Sequence, residues 1–384
     1  MRSFPLLLTL FLSFVGGASA APPTSTSNAG GPRLASVEPF LLVQGTVATL
    51  KGTGLGATQG TTRVRFGGLE ATEFLSWSDS QVRVRVPRGV APGLGVAVSM
   101  EMKERRLQST TRVIRAVPIG AGAMHTVVVR PDGSVHAWGN NMADQLNVPP
   151  GLSLVVAVSA GEMHTMALRS DGTVVTWGNN RDGNSSVPTG LRDVVAIDAG
   201  SFHCVALKAD GTVVAWSKQE MPPVPANLSG VVAISAGGAH SLALKSNGIV
   251  TAWGWNHEHQ TTLPKKLGPV LAISAGGRYS LALKADGTVI AWGQSEAPPK
   301  LKDVVAIHAG ETHNFALKAD GSLVGWGLNS SGQSTLPPGL GKVAAVSPGM
   351  FHTVALTSEG TLVAWGNNAH GQTSFPEKLT VMIP

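Results

Sequence analysis

Residues 194–216 read VVAIDAGSFHCVALKADGTVVAW, and their pattern decides the fold. Three short apolar runs are separated by a corner at Ala199 and Gly200 and by the dipeptide Asp210 and Gly211. An Asp-Gly pair between apolar runs is one of the strongest hairpin signals in a sequence. The stretch therefore predicts three antiparallel strands, and the residues that follow it leave room for a loop and a short outer strand.

The same stretch recurs along the chain in the approximate form AG-x-x-H-[ST]-x-A-L-[KR]-x-[DN]-G-[TS]-[VL]-x-x-W. Each copy ends at a tryptophan, and the seven are Trp138, Trp177, Trp216, Trp253, Trp292, Trp326 and Trp365. Their consecutive spacings are 39, 39, 37, 39, 34 and 39 residues. A fixed period of about 40 residues indicates a repeat architecture in which each unit is one supersecondary element.

The predicted strands are apolar almost without interruption, as at residues 231–234 and 281–283. Both faces of such strands are covered. A propeller satisfies this requirement, since each blade packs on two neighbours. We therefore predict an all-β, seven-bladed β-propeller over residues 115–384, with the seven tryptophans as structural residues between blades. The C-terminal KLTVMIP either pairs beside the first blade as a clasp or trails from the ring.

The repeat resembles that of the regulator of chromosome condensation family, whose fold is a seven-bladed propeller. It resembles even more closely the compact form in secreted bacterial proteins of the β-lactamase inhibitory protein II type. SLALK follows His240, HQTTLP occupies residues 259–264 and GQSTLP occupies residues 332–337. The resemblance implies that one face of the propeller can clamp a globular partner. The loop residues depart from the family, so no individual contact residue carries over.

Residues 1–20 have the pattern of a secretory signal peptide. Arg2 precedes an apolar run at residues 6–15, and Ala18, Ser19 and Ala20 form an A-x-A cleavage site. The run is shorter than the about 20 residues of a membrane span, so we expect no span in the mature chain. Residues 21–32 form a polar linker. These features predict a secreted, periplasmic or bacterial cell-surface protein.

Residues 33–114 predict a separate small domain. Alternation of arginine with an apolar residue at 63–66 and 82–86 indicates strands with one buried face, as in a small β-sandwich. The segments GTGLG at 52–56, VRFGG at 64–68 and the Pro and Gly residues at 87–93 resemble an immunoglobulin-like IPT/TIG domain. Such domains usually serve as spacers or interaction modules on extracellular proteins.

Positive charge is concentrated in this small domain. Residues 33–115 hold 12 Lys and Arg against 6 Asp and Glu, whereas residues 116–384 hold 16 against 17. We predict that Arg63, Arg65, Arg83 and Arg85 project from the polar side of their sheet. Either this basic stripe attracts an anionic surface polymer or it is a solvated strand face. Aromatic residues do not interleave with it, so we expect no nucleic-acid partner.

The sequence predicts no catalytic residue, no cofactor and no metal site. It contains no nucleophile elbow, phosphate-binding loop, dinucleotide fingerprint or zinc-protease motif. Six histidines and Tyr279 share one repeat position, the histidines being His125, His164, His203, His240, His313 and His352. One residue per blade cannot converge on a single ion, so we predict a structural role. The lone Cys204 allows no internal disulfide.

The variable residues of the repeat suggest a binding surface. Alternating strand directions place the AG-x-x-H corner and the segment after Trp-Gly at the same end of each blade, opposite the Asp-Gly turns. Methionine, aromatic and arginine side chains at that end have the composition of a protein interface, although ordinary loops also expose such residues. The candidate partner-binding residues are Met124, Met163, Arg181, Phe202, Trp255, His257, Arg278, Phe351 and His370.

These observations favour an exported, non-catalytic protein-binding or adhesion protein, with the sandwich as a stalk. Inhibition of a secreted enzyme is a special case. The rival hypothesis is guanine-nucleotide exchange on a small GTPase, the activity of the nuclear regulator in the family that the repeats resemble. The export signal opposes it, as does the lack of an inserted wedge between consecutive tryptophans. A hydrolase or lyase would need converging unlike polar groups, which the repeats do not supply.

Overall fold

A computed structural model describes residues 31–383 except 104, 115, 182, 218–220, 300, 377 and 378. The predicted signal peptide and most of the predicted linker lie outside the described residues. The described residues form two compact units, and the boundary between the two in the sequence lies at residues 115 and 116. The described residues contain strands and no helix, so the prediction of an all-β chain is confirmed. They accordingly include no helix long and apolar enough to cross a membrane.

The first unit is a sandwich of two sheets, as the alternating pattern predicted. Its strands are β1 (Arg33–Glu38), β2 (Leu41–Val43), β3 (Val47–Thr53), β4 (Arg63–Phe66), β5 (Leu69–Glu70), β6 (Phe74–Trp77), β7 (Gln81–Arg85), β8 (Gly93–Met102) and β9 (Arg105–Ile114). One sheet has the order β1-β3-β7-β6 and the other β2-β9-β8-β4-β5. Val64 and Phe66 of one sheet and Val82 and Val84 of the other are fully buried in one core.

The second unit is built from three-stranded antiparallel sheets, each formed by three consecutive strands. The strands are β10 (Ile119–Ala121), β11 (His125–Val129), β12 (Val135–Gly139), β13 (Val155–Ala160), β14 (His164–Arg169), β15 (Val174–Gly178), β16 (Val194–Ala199), β17 (Cys204–Lys208), β18 (Val213–Trp216), β19 (Val231–Ala236), β20 (His240–Lys245), β21 (Val250–Gly254), β22 (Ala272–Ala275), β23 (Tyr279–Leu283), β24 (Val289–Gly293), β25 (Val304–Ala309), β26 (His313–Lys318), β27 (Leu323–Gly327), β28 (Val343–Pro348), β29 (His352–Thr357) and β30 (Leu362–Gly366). Seven such sheets occur in the described residues, and a propeller accommodates them. The predicted short outer strand does not form in the described part of any repeat.

The first strands of the sheets surround a common axis. They line a cavity of about 100 Å³, to which each sheet contributes one residue at the same repeat position: Gly120, Ser159, Asp198, Ser235, Ser274, His308 and Ser347. Neighbouring strands are bridged there, as where the amide of Ala275 donates to the Ser235 hydroxyl at 3.0 Å. Asp198 accepts hydrogen bonds from Ser159 and Ser235 and from two backbone amides. These hydrogen bonds lower the pKa of the Asp198 carboxyl, but burial has the larger effect and raises the pKa to about 6.

The corner glycines allow neighbouring sheets to approach closely. A Cβ at Gly161 would overlap the carbonyl oxygen of Gly200, and a Cβ at Gly349 would overlap that of Gly122. The second contact joins the last sheet to the first. The amide of Ala121 also donates to the Ser347 hydroxyl at 2.9 Å. The glycine of each AG corner is therefore required by packing, and the sheets close on themselves.

The C-terminal segment acts as the clasp rather than a trailing end. Val129 donates to the carbonyl of Pro118, but proline has no N–H with which to return the bond. The amide of Met382 donates to the Val129 carbonyl instead, at 2.8 Å. Val381 is 5% exposed and packs with Ile119 of β10. Residues 379–383 make these contacts without forming a strand.

Candidate protein-binding site

Two loops of each repeat lie together at one end of the sheets, which we call the corner face. The third strand of a sheet ends in Trp-Gly, and strand pairing brings the residue after it beside the residue that precedes the repeat's histidine. The amide of Trp255 donates to the Ala239 carbonyl at 2.9 Å, and the amide of Leu328 donates to Thr312 at 2.9 Å. The corner face is therefore a set of paired loops fixed by backbone hydrogen bonds.

The corner face contains a cleft of about 700 Å³. Its apolar lining includes Phe202, Trp255, Leu328 and Met350. Trp255 and Leu328 are each 43% exposed, although large apolar side chains are usually buried. The Trp255 ring contacts the ring of His257 edge to face, with centroids 5.9 Å apart. Trp255 and Leu328 thus give the cleft an exposed apolar surface.

Carboxylates lie among these apolar groups. The cleft is lined by Glu162, Glu258 and Glu311 and by one guanidinium, that of Arg278. The Arg278 and Glu258 side chains are 3.8 Å apart at the solvent-exposed rim. Glu311 accepts a hydrogen bond from the Ser201 hydroxyl. Burial raises the pKa of Glu311, while the Ser201 bond and the charge of Arg278 act in the opposite direction.

The structure brings together four of the nine predicted binding residues. Phe202, Trp255, His257 and Arg278 all line the cleft. The other five, Met124, Met163, Arg181, Phe351 and His370, do not line it. Met163 is 40% exposed elsewhere on the corner face, and the His370 ring is 3.2 Å from the Asn140 amide group. The nine predicted residues therefore divide into four that line one cleft and five that lie outside it.

The nine predicted binding residues leave out several residues of the cleft. Leu328 follows Trp326 and Gly327 just as Trp255 follows Trp253 and Gly254, so its repeat position was a usable signal. Glu311 and Met350 belong to AG corners in the sixth and seventh sheets, far in sequence from Phe202. Only closure of the ring brings them to the same cleft.

The repeated histidines form hydrogen bonds between neighbouring sheets. Their ring nitrogens contact the side chain one position after the next repeat's histidine, as in His313 to the Thr353 hydroxyl at 2.7 Å and His164 to the Cys204 sulfur at 3.3 Å. The Thr353 hydroxyl donates in turn to the Gln333 carbonyl at 2.9 Å. A hydroxyl has one proton, so the His313 Nε2 must be the donor. Among the described residues no group of three His, Cys, Asp or Glu side chains is placed to hold an ion.

Indole groups join the same inter-sheet network, namely those of Trp138, Trp177, Trp216, Trp292 and Trp365. The Trp365 indole donates to the Gln333 carbonyl at 3.0 Å, so that carbonyl accepts two bonds from the following sheet. Trp292 bonds Gln260 in the same way at 2.9 Å. Five of the seven are less than 10% exposed, namely Trp138, Trp177, Trp253, Trp292 and Trp365. Trp216 and Trp326 are half-buried.

The arginines of the sandwich do not form one stripe, which corrects the prediction that they share a polar face. Arg63 and Arg65 lie on β4 and Arg83 and Arg85 on β7, and these strands belong to opposite sheets. Carboxylates also accompany them. Glu70 is 3.4 Å from Arg65, and Glu73 is 2.8 Å from Arg85. Alternation predicts which residues face outward but not which sheet a strand joins.

Comparisons with known proteins agree with this architecture. The family model for the regulator of chromosome condensation (RCC1) repeat matches residues 155–184, 194–220, 231–260, 270–296, 304–333 and 343–372. The model for the IPT/TIG domain matches residues 32–114. The chain therefore carries six RCC1 repeats preceded by an IPT/TIG domain. The sheet β10-β11-β12 precedes the first matched repeat.

Two receptor-kinase ectodomains show likeness of fold. The CRINKLY WD40 ectodomain of the Arabidopsis thaliana receptor kinase ACR4 is 21% identical, with a TM-score of 0.55 over 70% of this chain and 97% of that one. The ectodomain of the Physcomitrella patens receptor kinase CR4 is 22% identical, with a TM-score of 0.56 over 66% and 74%. Prp20p from Saccharomyces cerevisiae is 19% identical, with a TM-score of 0.41 over 69% and 75%. No curated protein sequence matches.

Proposed function

We propose that this chain is an exported, non-catalytic protein-binding protein that recognises its partner with the corner face of the propeller. An RCC1-repeat propeller suggests protein binding as its general role. The observation that carries the proposal is the cleft, where Trp255 and Leu328 remain exposed on loops fixed by a rigid ring. Exposed aromatic anchors on a stiff scaffold are typical of interfaces.

The export part of the proposal rests on the pattern of residues 1–20, an apolar run after Arg2 that ends in an A-x-A site. It places the partner among secreted or cell-surface proteins. Adhesion to such a protein and inhibition of a secreted enzyme would use the same surface. The IPT/TIG domain serves as the stalk in this proposal.

The test is recovery of partners from secreted and cell-surface fractions by the full chain and two matched variants. Trp255→Ala removes an anchor of the cleft, and Ile249→Ala removes a side chain that is 53% exposed in the Asn247-Gly248 turn, at the end of its sheet opposite the corner face. We expect a partner that the wild type and Ile249→Ala recover and Trp255→Ala loses. Equal recovery by all three proteins would refute the corner-face proposal.

A further inference from the structure

The axis of the propeller is lined by stacked rings of residues. Neighbouring first strands touch at equivalent repeat positions twice, at the serine position, where the amide of Ala309 donates to the Ser274 hydroxyl at 2.9 Å, and at the corner glycines. These strands therefore run in the same direction, and equivalent residues lie at the same depth along the axis. The polar ring around the cavity of about 100 Å³, here called the axial cavity, is followed towards the corner face by a ring of alanines with Pro348 and then by a ring of glycines.

A side-chain contact spans the corner end of this axis. Beyond the glycine ring lies a space of about 70 Å³, and Ser201 and Glu311 are among the residues that line it. Ser201 belongs to the third described sheet and Glu311 to the sixth, yet the Ser201 hydroxyl donates to the Glu311 carboxylate. Since the sheets close on themselves, this bond joins opposite sides of the ring. Alanine and glycine put at most a methyl group on the axis beneath it, so the Glu311 side chain is a bar across the corner end.

A glycine makes room for the bar. A Cβ at Gly277, in the corner of the fifth sheet, would overlap both the Glu311 Oε2 atom and the Glu311 carbonyl oxygen. The Glu311 side chain thus passes over this corner on its way to Ser201 and is half-buried there. Its position is set by a bond at one end and by the missing side chain at residue 277.

The axial cavity beneath the bar offers hydrogen-bond donors to a solute. The Ser274 hydroxyl, in a residue 8% exposed, accepts the amide of Ala309, and the Ser347 hydroxyl accepts that of Ala121 at 2.9 Å. In the part of the chain that the structure describes, neither hydroxyl proton has an acceptor of its own. A polar cavity of this size has room for several water molecules or one small polar solute. A solute that accepts hydrogen bonds suits it.

We propose that Glu311 is a gate that controls the entry of small polar solutes into the axial cavity from the corner face. The end is closed while the carboxylate holds the Ser201 hydroxyl and opens when the carboxylate leaves it. Glu311 also lines the cleft, so the gate lies between the cleft and the axial cavity. The inference goes beyond the proposed function and holds whether or not the cleft binds a protein.

The test places a thiol in the axial cavity of the full chain by Ser274→Cys and treats it with the small reagent methyl methanethiosulfonate. The thiolate attacks the reagent's divalent sulfur, a mixed disulfide forms and methanesulfinate leaves. The native Cys204 is fully buried, and burial raises the pKa of its thiol, so it should contribute little. The labelling rate, followed by mass spectrometry, reports how often the cavity is open.

Two substitutions added to Ser274→Cys remove the bar in different ways. Ser201→Ala deletes the donor, and Glu311→Ala deletes the side chain. Each should raise the labelling rate about 10-fold to 100-fold, the weight of a hydrogen bond to a charged group. Glu311→Gln keeps the length and an acceptor oxygen, so its rate should stay closer to that of the parent than to that of Glu311→Ala. Glu258→Ala, which alters the cleft but not the corner-end space, should leave the rate unchanged.

Three results would overturn the gate. The first is equal labelling of the parent, Ser201→Ala and Glu311→Ala, and the second is no labelling in any of them. The third is an equal rise with Glu258→Ala, which would show a general loosening of the corner face. Ser347→Cys, in the same polar ring, is labelled in parallel, so the test stands even if Ser274→Cys does not fold.

Discussion

Mild acid should unfold the propeller, because its buried histidines are uncharged in the folded state. Burial lowers the pKa of His125, His203, His308 and His313 to about 4 and that of His164, His240 and His352 to about 3. The ordinary pKa of a histidine side chain is 6.5. The perturbation is therefore a change of pH from 7.5 to 5, through the range in which the unfolded chain takes up these protons.

The sign follows from the depressed folded-state pKa. Between about pH 4 and 6.5 the unfolded chain binds more protons than the folded chain, so the free energy of unfolding falls as the pH falls. Each buried histidine costs about 2 kcal/mol at pH 5. Asp198, whose pKa is raised to about 6, acts in the opposite direction. Asp198 offsets only about 1 kcal/mol of the loss of stability at pH 5. The histidines together cost an amount comparable with the unfolding free energy of a typical domain, which is about 5–15 kcal/mol.

The assay is urea unfolding followed by tryptophan fluorescence at several pH values. The slope of unfolding free energy against pH gives the number of protons taken up, and we expect about five near pH 6. His313→Gln should lower this number by about one. Met142→Ala, which removes no titratable group, should not change it. A flat profile, or greater stability at pH 5 than at pH 7.5, would refute the account of the histidines.

Two further predictions concern packing. Trp292→Ala should lower the free energy of unfolding by about 3–5 kcal/mol, since Trp292 is 7% exposed and its indole donates to Gln260. The exposed Trp255→Ala should cost less than about 1 kcal/mol, and equal losses in urea unfolding would contradict the assignment of the two tryptophans. Val381→Asp should destabilise the propeller by about 3 kcal/mol or more, because it buries a charge in the clasp. Thr380→Asp, at an exposed neighbour, is the control, and equal effects of the two substitutions on unfolding would argue against the clasp.

The sequence predicted the parts of the fold that repeat. The Asp-Gly turns and the AG corners marked where each strand ends, because only certain residues allow those backbone shapes and approaches. Asp132, for example, accepts the amide of Ser134 within its own turn, as expected for a structural carboxylate. Local chemistry of this kind is readable wherever it recurs.

The cleft was only partly predictable, because its residues come from sheets far apart in sequence. Phe202 and Met350 share the cleft although three corners lie between them in the sequence. A loop position alone does not decide which side chains reach the cleft. Trp255 lines it, whereas His370 does not and lies beside Asn140 instead. The division of the arginines between two sheets had no signal, since the alternation at β4 and β7 is the same.

The most direct test of the corner-face proposal is hydrogen exchange of the full chain with and without a partner recovered as described. The account predicts that protection on binding is confined to the corner loops, above all those that carry Trp255, Glu311 and Leu328. Protection at the Asp-Gly turns or in the IPT/TIG domain, with the corner loops unchanged, would contradict it.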